Sequence, residues 1–248
     1  MEVGYESHIG KMRKINQDSY MVGKTMDGMP CFAVADGLGG HRGGETASKM
    51  LIEELSEFLS MFNASDHISE NKLEYVLKEQ IKTINKHILE RGKKDESLAG
   101  MGSTLTFCVI TSGKQVHVFH VGDSRLYRIS QKAMERMTRD HSYVEELIES
   151  GEITRSEAEH HPNKNLLTRA VGTDASLEVD YTVFELNKGD AVLICSDGLT
   201  NYVPEDDIRQ IITDNTCSQG AQKLIQTAND NGGGDNITAI VFKLEVHG

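Results

Sequence analysis

The chain has 248 residues, 38% of them hydrophobic and 26% charged, with a formal net charge of −12. That length fits one large domain or two small ones, and the composition excludes a disordered chain. The acidic balance, with no run of lysines or arginines, excludes an electrostatic footprint for nucleic acid.

The first residues, MEVGYESHIG, lack the charged and then apolar pattern of a signal peptide, and no stretch approaches about 18 consecutive apolar residues. No membrane insertion is expected. The run CFAVAD (residues 31–36) reads as a strand ending on Asp36, followed by the glycine-rich GLGGHRGG. After those glycines, ETASKMLIEELSEFLSMF and then NKLEYVLKEQIKTINKHILERG carry apolar residues at helical spacing, which predicts two long amphipathic helices. From Gly102 the period changes, and apolar β-branched runs punctuated by Ser112-Gly113 predict adjacent strands with a hairpin turn. Thr154 with Glu157 fits a capping box in a mixed helix and loop segment. The remainder reads as strand, turn, strand, two helices and a last strand, NITAIVFKLEV. Strands in runs and helices in pairs argue for layered α+β packing in one domain spanning residues 1–248: two sheets face to face with helix pairs outside. Cys31, Cys108, Cys195 and Cys217 show no C-x-x-C spacing and read as core residues of a cytoplasmic, reducing environment.

Acidic residues recur at the ends of the apolar strands: Asp36 after CFAVA, Asp123 after VFHVG, Asp197 after VLICS, and Asp235 before NITAIVF. Each alone is as readily a turn or capping residue. Together they point to a common site, because clustered carboxylates repel one another unless cations neutralise them, and hard divalent ions prefer oxygen ligands. Glycine after Asp36 and Asp197 permits close backbone approach, and the carbonyl of Gly37 is a further candidate ligand. Near such a cluster, Arg13 of RKINQDS would suit a phosphate group.

RKINQD, VADGLGGH, GMGST, HVGDSRLY, TRDHS, LLTRAVG, ICSDGLTN and GGGDNITAIV, in that order, span nearly the whole chain. In them the sequence resembles the metal-dependent serine/threonine protein phosphatases, the protein phosphatase 2C family, and its small bacterial members most closely. The resemblance implies a four-layer α-β-β-α sandwich, two antiparallel sheets flanked by helix pairs, with a metal centre at one end. It implies Mn²⁺ or Mg²⁺ as cofactor, two core ions and a third: Asp36 bridging, Asp197 and Asp235 completing one ion, Asp18 and the Gly37 carbonyl holding another, and Asp123 with Asp197 serving the third. A metal-bridging hydroxide would attack the phosphorus of phosphoserine or phosphothreonine in proteins, with Arg13 gripping the phosphate. The implied partners are phosphorylated proteins, including a cognate serine/threonine kinase, and the chain is expected to act as a monomer. Many eukaryotic members carry a histidine as general acid immediately after the DG pair. Here that position is Leu38, and His41 is the alternative candidate. Residues 140–165 correspond to the flap over the bacterial active site. A catalytically inert module of the same fold and a phosphohydrolase of small esters are the rival readings, and the full set of acidic residues argues against the first.

Overall fold

The computed structural model describes residues 1–67 and 70–244. The elements in chain order are β1 (Glu2–His8), β2 (Asp18–Lys24), β3 (Pro30–Leu38), α1 (Gly40–Met61), α2 (Glu70–Lys94), β4 (Gly102–Ser103), β5 (Leu105–Ile110), β6 (Gln115–Val121), β7 (Arg125–Ile129) and β8 (Met134–Arg136). There follow α3 (Tyr143–Glu149), α4 (Arg155–Glu159), β9 (Asp180–Glu185), β10 (Ala191–Cys195), α5 (Asp197–Thr200), α6 (Glu205–Asp214), α7 (Cys217–Asp230) and β11 (Ile237–Lys243). The strands form two antiparallel sheets, ordered β1-β11-β10-β7-β8 and β2-β3-β5-β6-β9, with β4 attached to the end of β3. β1 and β2 carry no clear apolar alternation because each is the edge strand of its sheet. Tyr5 and Tyr20 stand 48% and 37% exposed there.

Three apolar layers account for the stacking. Leu51 and Leu55 of α1 and Leu77 and Ile81 of α2 pack against Ala33, Ala35, Phe107 and Phe119. On the other side, Ile208 and Ile212 of α6 and Leu224 of α7 cover Leu193, Ala239 and Val241. Between the sheets lie Phe32, Val34, Cys108, Val118, Leu126, Ile194, Ile240 and Phe242, with the rings of Phe32 and Phe242 stacked at 4.4 Å. Burying a side chain of that size fully contributes about 1.5–3 kcal/mol. The order helix, sheet, sheet, helix is the expected α-β-β-α sandwich. The four cysteines are buried and unpaired, and among the described residues no helix is long and apolar enough to cross a membrane.

The strand period fixes where the acids go. Along β3, Cys31, Ala33 and Ala35 face the helices while Phe32 and Val34 face the opposite sheet. One more step of two residues puts Asp36 on the face between the sheets. The same step carries Ile194 to Ser196 after β10, Ile240 back to Thr238 on β11, Val118 to His120 on β6 and Leu126 back to Ser124 before β7. The layer between the sheets is thus apolar through its length and polar at one end.

α1 begins five residues earlier than the apolar spacing predicts, at Gly40 and not Glu45. Its first turn rests directly on strand backbone: a Cβ on Gly37 would overlap the carbonyl of Gly44, and Gly39 makes the connecting step at φ 102°. Helical periodicity cannot mark a turn made of glycines. Gly37→Ala is expected to cost about 1–3 kcal/mol through overpacking, lowering the thermal midpoint by about 2–4 °C per kcal/mol in a calorimetric scan. An unchanged midpoint would show that the turn can yield.

Candidate active site

At the polar end of the sandwich a cleft of about 540 Å³ is lined by Asp36, Asp123, Asp197 and Asp235, with Gly37, Leu38 and Arg13 at its walls. Four loci of the chain meet there: the end of β3, the β6–β7 turn, the first turn of α5 and the residue pair before β11. Asp18 stands beside Asp36 as its cross-strand partner on β2. It is not among the residues lining the cleft and borders a lateral recess between β1 and β2. Asp197 opens α5, and Gly198 lets that turn lie on the neighbouring loop, since a Cβ there would strike the carbonyl of Asn236.

The carboxylates are held by different means. Asp18 is buried, and its Oδ2 accepts hydrogen bonds from Ser196 Oγ and Thr238 Oγ1, each at 2.7 Å. Asp197 Oδ2 accepts from Asn201 Nδ2 at 3.0 Å. Asp235 Oδ2 accepts from Arg13 Nη2 at 2.8 Å, and its Oδ1 accepts from the amide of Asn236. Asp18 Oδ1 and Asp197 Oδ1 are buried with no hydrogen-bond partner. Among the described residues, no group of three or more His, Cys, Asp or Glu side chains is arranged to enclose an ion unaided.

Asp36, Asp123 and Asp197 keep a partly open face toward the cleft while protein surrounds the rest of each carboxyl. Burial pushes the Asp36 carboxyl well above the ordinary range, and the fields of Asp18, Asp197, Asp123 and Asp235 push it further. Burial likewise raises Asp123, with Asp197 and Asp140 adding to it and Arg125 opposing. Asp197 is raised by burial and by Asp235. Asp18 is driven up to about 7 by burial, against its two hydroxyl hydrogen bonds.

The β1–β2 loop brings Arg13 to the cleft, and Asn236 staples that loop. Its Nδ2 donates to the carbonyls of Ile9 and Ile15 at 2.9 and 3.0 Å, and its Oδ1 accepts from the Gln17 amide at 2.8 Å. Asn236, Ser196, Thr238 and the Thr104–Ser124 hydroxyl pair, 2.7 Å apart, are neighbours of the site that sequence reasoning passed over. Their one signal is the strand period carried past the apolar run. Leu38 lines the cleft as expected, and the side chain of His41 lies outside the described residues.

Residues 140–165 form α3 and α4, the latter with the expected Thr154–Glu157 capping box. An isolated bridge between Ser142 and Leu167 closes the neck of this segment. Glu145, buried on α3, ties it to the sandwich through Arg136 at 3.1 Å and takes Arg155 at 3.3 Å. Beneath it a chamber of about 880 Å³ shares Asp123, Asn165 and Asp197 with the cleft.

The sequence profile described as Protein phosphatase 2C matches residues 6–229. The chain belongs to the protein phosphatase 2C family. It is accordingly a hydrolase of the protein phosphatase class, and phosphoproteins are the substrates that class implies. Similar relatives within this family include a serine/threonine phosphatase of Listeria monocytogenes, 37% identical over 99% of this chain and 97% of its own length. Protein phosphatase PhpP of Streptococcus pneumoniae is 34% identical over 98% of both chains. Among solved structures, a serine/threonine phosphatase of Staphylococcus aureus superposes with a TM-score of 0.93 at 33% identity, covering 99% of this chain and 96% of that one. One from S. agalactiae gives 0.92 at 36% identity over 98% and 99%.

The upward carboxylate shifts have a thermodynamic consequence. A folded-state pKa raised above its unfolded value stabilises the fold at low pH, and that contribution is lost as pH rises through the folded value. With Asp18 at about 7, chelator-treated protein is expected to melt higher near about pH 6 than near about pH 8. Asp36→Asn should flatten the trend. Calorimetry across that window checks it, and a melting temperature rising with pH would contradict it.

Proposed function

We propose that this protein is a metal-dependent phosphatase of phosphoserine and phosphothreonine in proteins, opposing a serine/threonine kinase in a bacterial cytoplasm. The observation that carries the reading is the meeting of Asp36, Asp123, Asp197 and Asp235 in one cleft, with Asp18 against Asp36. Like charges so placed raise one another's proton affinity unless a cation neutralises them. The donor set is all oxygen, which suits Mn²⁺ or Mg²⁺, and two buried carboxylate oxygens lack any hydrogen-bond partner. That no three acids among the described residues enclose an ion unaided agrees with cations that keep several waters.

In this reading Asp36, Asp197 and Asp235 would hold one ion, and Asp18 with the Gly37 carbonyl would hold another beside Asp36. Asp123 and Asp197 offer a third position. When bound, such a pair of ions would bring the pKa of a shared water toward neutrality and offset charge on an in-line displacement. The chain's own contribution is placement. Arg13 is half exposed, and its bond to Asp235 occupies Nη2 alone, so the rest of the fork is available for two phosphate oxygens. Burial disfavours its charge, yet the hydrogen bond and fields of Asp235, Asp36 and Asp197 keep the guanidinium protonated. Leu38 offers no proton to the leaving alkoxide, which leaves His41, at the start of α1, as the candidate donor in this stretch.

A protein substrate is favoured over a small ester by the second chamber, which continues from the reacting carboxylates beneath residues 140–165 and is large enough for a peptide segment. The Listeria and S. pneumoniae relatives support the serine/threonine assignment by their names. Four buried thiols without a disulfide support the reducing compartment.

Mn²⁺-dependent release of phosphate from a phosphothreonine peptide is expected, and either Asp36→Asn or Asp235→Asn should abolish it. Full activity in either variant would sink the assignment. Arg13→Ala should lower kcat/KM by about 100-fold, the scale for losing one charge-stabilising donor, with the larger share in kcat. A change confined to KM would mean that Arg13 binds substrate and transition state alike.

A further inference from the structure

The way Asp18 is held assigns work to residues outside the metal set, an inference that rests on the metal reading above. Thr238 Oγ1 donates its single hydroxyl hydrogen to Asp18 Oδ2 at 2.7 Å. In its 2.8 Å contact with Ser7 Oγ, Thr238 must therefore accept and Ser7 donate. Ser7 in turn accepts from Asn16 Nδ2 at 3.0 Å, and Asn16 Oδ1 accepts from the backbone amide of Asp18 at 3.2 Å. The bonds close a ring that starts and ends on Asp18. Ser196 adds the second donor to Oδ2 at 2.7 Å, while its oxygen accepts from the Thr238 amide at 3.0 Å.

This ring crosses the sandwich. Ser7 is on β1, Thr238 on β11 and Ser196 just past β10, all of the first sheet, whereas Asp18 begins β2 at the edge of the second. Ser196 and Thr238 are fully buried. The result is a carboxylate with one oxygen saturated by two hydroxyls and the other, Oδ1, buried and bare. If the hydroxyls served only to tie the sheets together, nothing would require both to converge on one carboxylate oxygen while leaving its twin without a donor.

We propose that Ser196 and Thr238, backed by Ser7 and Asn16, are positioning residues for the metal centre: they lock the Asp18 carboxylate so that Oδ1 alone is presented to the cation or to water in its shell. None of the four needs to touch the ion. Outer partners of this kind set ligand orientation, and their loss weakens metal binding by about 10- to 100-fold.

The test is Mn²⁺ titration of metal-free full-length protein by isothermal calorimetry, with thermal melting of the same samples. Thr238→Val keeps the shape and removes the hydroxyl, and is expected to weaken Mn²⁺ binding by about 10-fold or more. Thr238→Ser restores the hydroxyl and should restore affinity. Ser196→Ala should fall in the same direction as Thr238→Val. A purely structural role would lower the melting temperature and leave the affinity alone. Parental Mn²⁺ affinity in both Thr238→Val and Ser196→Ala overturns the proposal. Should Thr238→Val not fold, Ser7→Ala on the edge strand breaks the ring from outside, and undiminished affinity there overturns it equally. Failure of the metal reading looks different: the parent protein would take up no Mn²⁺, or Asp36→Asn would bind it as well as the parent, and the proposal would fall with it.

Discussion

Mutual repulsion among carboxylates is the constraint around which the end of this sandwich is arranged. Asp18, Asp36, Asp123 and Asp197 are each pushed toward their protonated forms by burial and, in differing measure, by their acidic neighbours. A flexible chain would relieve that repulsion by moving apart. Here the acids cannot separate, because each is anchored at a strand end or a helix start whose other residues are packed in one of three apolar layers. The cost of keeping like charges together is carried by the burial of the sandwich, and it would become favourable interaction with the cation proposed to lie among them.

Rigidity at the cleft comes from close approach and side-chain staples. Gly37 and Gly198, each following an aspartate, bring backbone against backbone where any Cβ would intervene. Asn236 uses both side-chain donor hydrogens and its side-chain oxygen on three backbone groups of the β1–β2 loop, so the loop bearing Arg13 is built onto the same segment that bears Asp235. Arg13, proposed to grip the phosphate, and Asp235, a proposed metal ligand, are thereby tied to one segment. Beyond them, the ion pairs of Glu145 hold the 140–165 segment over a chamber continuous with the cleft, linking the reacting end of the site to the surface that would meet a protein substrate.

Much of the fold was legible because apolar periodicity is a local property. The two long helices, the hairpin at Ser112-Gly113 and the C-terminal order of strands and helices all follow from spacing, and α2 departs from its expected span by only a residue or two. β1 and β2 were not legible. Edge strands bury one side only and are packed in part by polar groups, so their alternation is weak. The start of α1 was missed for another reason: glycines carry no hydrophobic signal, and their helical turn is specified by the strand beneath them.

The acidic residues of the site were visible one by one, as carboxylates closing apolar runs. The family was legible from eight short motifs in order, RKINQD to GGGDNITAIV, which contain these acids and the glycines that follow Asp36 and Asp197. What the sequence could not state is which way each side chain points and what stands behind it. That Asp18 has one oxygen saturated by Ser196 and Thr238 and the other bare depends on contacts between residues some 178 and 220 positions apart. Period 2 along each strand decides the face a residue takes, and it is read locally. Which strand of the opposite sheet lies across from it is decided only when the two sheets pack, and that packing turns a serine and a threonine into the frame of the site.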